Sequence, residues 1–227
     1  GKHFSAGMDF ANFAPPKKSE KEIDPARKRE AFYHEVLELQ DTFTALEECR
    51  MPTIAAIQGG CIGGAIDMAA ACDMRYCSEN AFFKIAEVDI GIAADVGTLQ
   101  RLPSLIPLAV LRELAYTGRK CDSAEAKSLG LVNEVYSSVD NMMEEVKKIA
   151  QTIASKSPLV TRVIKKQINY ARDNSVRDSL EYHAMWNASL ISHKDTETAL
   201  TAFMNKSEGE FDDLEELKSF WEKEGLI

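Results

Sequence analysis

The sequence predicts an α/β front followed by a helical back, and three observations carry that expectation. A short apolar run at residues 53–57 ends in a cluster of glycines, and a small-residue helix and further apolar runs follow, which is the order of a βαβ crossover. Beyond Gly97 the apolar residues recur mostly at helical spacing. A length of 227 residues suits one ordinary domain with a helical appendage.

Each element has its own signal. Residues 11–30 combine Pro15 and Pro16 with Lys17, Lys18, Glu20, Lys21 and Glu22, a composition that favours a solvated loop. From about Pro25 to Cys49 the apolar residues Phe32, Val36, Leu37, Leu39, Phe43 and Leu46 predict a long amphipathic helix. Pro52 introduces the strand at 53–57, Gly63 and Gly64 open a helix over 65–72, and strands are expected at 74–77 and 81–85. Helices are expected at 105–116, 123–129, 140–155, 158–172, 176–192 and 196–205, with one more strand at 131–136. Ser157 and Pro158 have the order of a cap and first helical residue, while Gly118 and Gly130 suit helix ends. The acidic, aromatic tail at 207–227, with Phe211, Leu214, Leu217, Phe220 and Trp221, predicts a last amphipathic helix. This divides the chain into an α/β core at 1–135, a helical region at 136–206 and the tail.

Composition narrows the function. A formal net charge of -9 disfavours nucleic acid and anionic membrane as partners. No uncharged run approaches the roughly 20 residues of a membrane span. The five cysteines Cys49, Cys61, Cys72, Cys77 and Cys121 form an odd set without a CxxC pair, so neither a disulfide framework nor a structural zinc site is expected. His3, His34, His183 and His193 have no metal-ligand spacing, and no Gly-x-Ser-x-Gly elbow accompanies a serine nucleophile. The opening residues have neither the apolar core of a signal peptide nor the arginine-rich amphipathy of a transit peptide.

Three carboxylates remain as candidates for chemistry: Asp67 after the glycine turn, Glu87 in Ile85-Ala86-Glu87-Val88, and Asp95 in Ile92-Ala93-Ala94-Asp95. Acids in apolar company suggest proton transfer. Each also has an ordinary alternative. Asp67 reads equally as a helix-surface residue, Glu87 as a salt-bridged or exposed side chain, and Asp95 as a helix N-cap. The glycines of 59–64 permit either tight helix packing or close approach of backbone N–H groups to an anion, although the turn lacks the Gly-Lys-Ser/Thr ending of a Walker loop and the spacing of a dinucleotide fold. Cys61 in that turn reads as a buried thiol rather than a nucleophile, because no nearby histidine is placed to activate it.

The segments Phe4-Ser5-Ala6-Gly7-Met8-Asp9 and Gln58-Gly59-Gly60-Cys61-Ile62-Gly63-Gly64-Ala65-Ile66-Asp67 resemble the crotonase (enoyl-CoA hydratase/isomerase) superfamily. Residues 72–77, 82–91 and 93–103 are similar to its Δ3,5-Δ2,4-dienoyl-CoA isomerase branch, and the resemblance covers residues 1 to about 206. It implies a crotonase-like spiral of βαβ units with a C-terminal helical trimerisation region, assembled as a homotrimer or hexamer. It implies an oxyanion hole from the N–H groups of Met8 and Gly64, substrate binding along Ala6, Gly7, Met8, Asp9 and Phe10 with Gly64, and Glu87, Asp95 and Asp67 as catalytic acids. The substrate would be an acyl-CoA thioester, whose CoA is part of the substrate, with no separate cofactor or metal. Relatives of this kind act in fatty-acid β-oxidation in the mitochondrial matrix or peroxisome. The superfamily normally has some fifty residues before this start, so a chain lacking N-terminal strands is expected. Enoyl-CoA hydration and a non-catalytic binding or scaffold role are the rival readings; hydratases of the superfamily place a glutamate where Asp67 stands.

Overall fold

The computed structural model describes residues 1–9 and 23–217. By its contacts the chain divides into two units, Gly1–Lys148 and Ile149–Ile227.

The first unit begins with an edge pairing. Phe4 and Ser5 donate their N–H groups to the carbonyls of Gln58 and Gly60, and Ile62 donates back to Ser5. Gly60 N–H also donates to His3 Nδ1 at 2.8 Å, which gives that histidine a structural partner. Helix α1 (Pro25–Glu48) starts where Asp24 accepts the N–H groups of Ala26 and Arg27 and where Pro25 already holds a helical φ. It starts at Pro25 as its apolar spacing predicted, and so claims residues 25–30, where the loop expectation overlapped it; residues 11–22 of that loop lie outside the described residues.

Strand β1 (Ile54–Ile57) pairs in parallel with β3 (Met74–Ser78), which pairs in parallel with β6 (Glu134–Tyr136). The glycine cluster is more than a turn: β2 (Gly60–Ile62) lies inside it and pairs in parallel with β4 (Phe82–Lys84), while β5 (Cys121–Asp122) runs antiparallel on the other side of β4. Two three-stranded sheets result, ordered β1-β3-β6 and β2-β4-β5. The glycines at 59 and 60 make this possible. Gly59 takes a positive φ of 56°, and a Cβ there would lie 2.4 Å from the carbonyl oxygen of Lys2, so only glycine lets the N-terminal segment close on β2.

Helix α2 (Gly64–Ala71) connects the two sheets' strands β2 and β3 and buries Ala65, Ile66, Asp67, Ala69 and Ala71. Its small residues allow close packing among Ile57, Cys61, Cys77, Phe83 and Leu102, which are at most 3% exposed. After β4 a 3-10 turn (Glu87–Ile90) ends at left-handed Gly91, and α3 (Thr98–Arg101) runs into a second 3-10 turn (Leu102–Ser104). These short elements escape periodicity analysis because one turn has no repeat to detect. Pro107 delays the next helix, so α4 (Leu108–Thr117) starts three residues later than expected. Gly118 and Gly130 end α4 and α5 (Ser123–Leu129) in the left-handed conformation, as their positions predicted.

Arg75 of β3 ties this unit together. Its buried guanidinium donates to the carbonyls of Leu131 (2.8 Å), Cys72 (2.7 Å) and Ala69 (3.3 Å), closing the C-terminal end of α2 onto the segment before β6. Arg75→Met would keep the apolar stem and leave those carbonyls without their donor, so the variant is expected to lose about 3 kcal/mol of stability, measured as a lowered urea midpoint at unchanged slope.

Helix α6 (Val139–Ala154) carries the chain into the second unit, where α7 (Pro158–Asp173), α8 (Val176–Leu190) and α9 (His193–Asn205) follow. Ser157, Ser175 and Ser192 cap these three helices, each accepting a backbone N–H three residues on. The Ser192 cap lengthens α9 beyond its expected start. Tyr170 of α7 stacks on Tyr182 of α8 at 4.1 Å between centroids, and Trp186 meets the Tyr182 ring edge on. The tail helix expected at 207–227 does not form over its described part: Lys206, at φ 52°, ends α9, and residues 208–217 have no regular structure. Glu208, Glu210, Asp212, Asp213, Glu215 and Glu216 would crowd like charges on one helix, and Lys194 pairs with Asp212 instead. Phe220 and Trp221 lie outside the described residues.

Candidate active site

The sequence left Asp67 between surface and pocket. It is 0% exposed, which overturns the surface alternative. Placed in the first turn of α2, it is carried inward by the apolar face of that helix and meets the start of α3, where Thr98 N–H donates to Oδ1 at 2.5 Å. Oδ2 is buried with no hydrogen-bond partner. Burial pushes this carboxyl above the usual aspartate range, against the opposing pull of Thr98 and Arg101.

Glu87 is half-buried and forms no salt bridge among the described residues. As the first residue of its 3-10 turn it turns back over the glycines, and a Cβ built on Gly63 would lie 3.1 Å from its Oε1. Oε2 is buried without a partner. Burial raises the carboxyl above its ordinary value, the negative charges of Asp67 and Asp95 raise it further, and the backbone N–H groups of Glu87 and Ala86 pull the other way. An unpartnered buried carboxylate oxygen is costly to maintain, which makes these two acids candidates for chemistry.

Asp95 is not the N-cap of α3, since that position belongs to Gly97. Its side chain is exposed, its neighbour Ala94 is buried, and its carbonyl accepts from Gln40 Nε2 of α1 at 2.7 Å. Glu87 thus feels the charges of both other acids, of which Asp67 is buried and Asp95 exposed.

The N-terminal segment reaches the same place. Gly7, at φ 89°, runs against β2 so closely that a Cβ there would lie 2.9 Å from the carbonyl oxygen of Ile62 and 3.9 Å from Gly63 Cα. Ala6, Met8 and Asp9 are exposed beside it, and Phe10 lies outside the described residues. Gly63 takes φ 56° as the N-cap of α2, so Gly64 opens the helix and its N–H has no acceptor within it. The helix dipole adds partial positive charge at that point. Phe43 of α1 stands over it, 3.9 Å from where a Gly64 Cβ would be. Cys61, by contrast, is 0% exposed, and burial together with Asp67 pushes its thiol far up, which disables it as a nucleophile. Cys77 is likewise pushed up to about 12 by burial.

Sequence reasoning missed Thr98, Arg101, Glu47 and Gln40. Arg101 pairs with Glu47 at 2.8 Å and also donates to Thr44 Oγ1 at 3.2 Å. Their signal was present only as one stripe of α1, where residues 40, 44 and 47 share a face.

Glycine-shaped turns that bring together two carboxyls, each with one buried and unpartnered oxygen, define the class: an α/β protein with buried acids beside the N-terminus of a helix. Residues 1–214 match the enoyl-CoA hydratase/isomerase family model, and the chain belongs to that family. It is 43% identical over 212 residues to the peroxisomal Δ(3,5)-Δ(2,4)-dienoyl-CoA isomerase of Arabidopsis thaliana, covering 93% of this chain and 76% of that one. It is 42% identical over 209 residues to the mitochondrial Δ(3,5)-Δ(2,4)-dienoyl-CoA isomerase of Homo sapiens, covering 92% of this chain and 64% of that one, so it spans less than two thirds of the human relative. Among solved structures, DspI of Pseudomonas aeruginosa superposes with a TM-score of 0.80 at 28% identity, covering 93% of this chain and 76% of that one. An enoyl-CoA hydratase from Bacillus anthracis gives 0.75 at 32% identity, covering 83% and 71%. The α/β core with helices at the C-terminus is the fold of these neighbours, as the sequence resemblance implied.

Proposed function

We propose that the chain is an isomerase that moves the double bonds of a 3,5-dienoyl-CoA to the 2,4 positions. The observation that carries the reading is the placement of Glu87, whose carboxyl, with one oxygen buried and unpartnered, sits over Gly63 at the opening of α2 and feels both other acids. The names of the relatives from Arabidopsis thaliana and Homo sapiens support the same reaction.

The thioester oxygen is held by the N–H groups of Met8 and Gly64, each worth roughly 3 kcal/mol once negative charge develops on that oxygen. A carboxylate removes the C2 proton, and the electron pair left behind spreads through the dienolate onto the thioester oxygen. A second carboxyl then gives a proton to C6, the charge returns from the oxygen, and the double bonds settle at 2 and 4. One proton leaves and one arrives, so the carboxyls exchange protonation states and no redox partner is needed. We read Glu87, which sits over Gly63, as the group at C2, and the exposed Asp95 as the group at C6. Asp67 tunes the pair, because neighbouring acids in an apolar setting titrate apart. Ala6 to Asp9 line the CoA path. Assembly as a trimer or hexamer, and residence in mitochondria or peroxisomes, belong to the same proposal.

The test is a substrate comparison with the purified chain. A gain in conjugated-diene absorbance from 3,5-dienoyl-CoA, with no loss of absorbance from a 2-enoyl-CoA, supports isomerisation; the reverse pattern replaces it with hydration, and silence on both favours a binding role. Solvent deuterium entering C2 in Asp95→Asn but not in Glu87→Gln supports the C2 assignment.

A further inference from the structure

On the isomerase reading of the acid set, we propose that Gln40, Thr44 and Glu47 of α1, with Arg101, form a positioning clamp on segment 95–101, fixing Asp95 at one end and Asp67 at the other. The four act on the acids through the segment's backbone and through Arg101. Residues 40, 44 and 47 lie on one face of α1. Gln40 Nε2 holds the Asp95 carbonyl at 2.7 Å, while Arg101 donates through Nε to Glu47 Oε2 at 2.8 Å and through Nη2 to Thr44 Oγ1 at 3.2 Å. Between these grips lies Thr98, whose N–H holds Asp67 at 2.5 Å.

The third nitrogen of Arg101 explains why the clamp is charged. A Cβ on Gly97, whose φ is 138°, would lie 1.9 Å from Arg101 Nη1 and 3.8 Å from Asp67 Oδ1. The guanidinium occupies the space that a side chain would fill and stands on Asp67's side of the loop. The Arg101 and Glu47 side chains are only 13% and 14% exposed. A desolvated ion pair is a poor way to gain stability, since apolar contacts of equal volume do as well or better. Beside an acid with one orphaned oxygen, it instead sets the field that the acid experiences. The charged or titratable groups facing Asp67 are Arg101 from α3, Glu87 from the 3-10 turn and Cys61 from β2. Glu47 balances Arg101 from the far side.

The experiment compares wild type with Glu47→Gln, Thr44→Val and Gln40→Ala, reading kcat, KM and the pH titration of Asp67 by its 13C-carboxyl signal. Glu47→Gln leaves Arg101 uncompensated, so the Asp67 carboxyl is expected to release its proton at lower pH. All three variants are expected to lose kcat about tenfold or more with KM within about twofold. If Glu47→Gln does not fold, Thr44→Val and Gln40→Ala decide through the same kcat and KM split, because neither leaves a charge unpaired. An Asp67 titration unmoved in folded Glu47→Gln, or wild-type kcat in Thr44→Val and Gln40→Ala, overturns the clamp. If wild type is inactive on 3,5-dienoyl-CoA yet Asp67 still shifts in Glu47→Gln, the isomerase reading falls and the clamp stands.

Discussion

Glu87→Gln is expected to lower kcat on 3,5-dienoyl-CoA about a thousandfold, within the span that a positioned acid or base contributes, while acyl-CoA affinity stays within about twofold. The amide fills the same volume over Gly63 and leaves the Gly64 N–H untouched, so the binding surface persists. It cannot accept the C2 proton. The same substitution should stabilise the fold at neutral pH. Glu87 holds its proton more tightly folded than unfolded, because burial and the charges of Asp67 and Asp95 penalise the anion. As pH rises from the ordinary glutamate range, the unfolded chain ionises first and folding stability falls. Removing the titration should raise stability at pH 7, and the advantage should vanish when the pH is below the ordinary glutamate value, where both states are protonated. A Glu87→Gln protein that is as active as wild type removes Glu87 from the chemistry. One that is inactive but equally or less stable at pH 7 refutes the strained-acid description.

This opposition of activity and stability also explains what the sequence disclosed and what it withheld. Caps and stops acted within a few residues, so Ser157, Gly118 and Gly130 marked real helix ends. The parallel pairing of β1 with β3 followed from the strand, glycine, helix and strand order. The division of the glycine cluster into a second sheet was hidden, because β2 is three residues long and its partner β4 lies some twenty residues on. The acids were legible as candidates through their apolar neighbours and the family resemblance, but their burial was not. Whether Asp67 faced solvent depended on the rotation of α2, and a helix whose other residues are all small or apolar has no polar face from which that rotation can be read. Arg101 and Glu47 are 54 residues apart, and an ion pair at that separation leaves no periodic trace.

Gly7→Ala is expected to cost about a hundredfold in kcat, the value of one donor to a developing oxyanion. At φ 89° the backbone of Gly7 is in the region that side chains resist, and a Cβ there would press on the Ile62 carbonyl oxygen at 2.9 Å. That oxygen belongs to β2, which is held by β4, so the N-terminal segment must yield. The segment is anchored on its other side by the Phe4, Ser5 and Ile62 hydrogen bonds and by Gly7 N–H on Ser5 Oγ at 3.2 Å. The displacement is therefore passed forward to Met8, whose N–H moves away from Gly64 while Glu87 and Asp67 stay in place. Loss should fall on kcat more than on KM, since the second donor strengthens as charge builds and contributes less to the neutral thioester. Gly130→Ala separates this from backbone strain alone: at φ 80° it bears a similar conformational cost at the end of α5, with its nearest contact at 3.7 Å, and should lower the unfolding midpoint while turning over substrate normally. Equal kcat in Gly7→Ala and Gly130→Ala would remove Met8 from the anion site and leave Gly64 to act with some other donor.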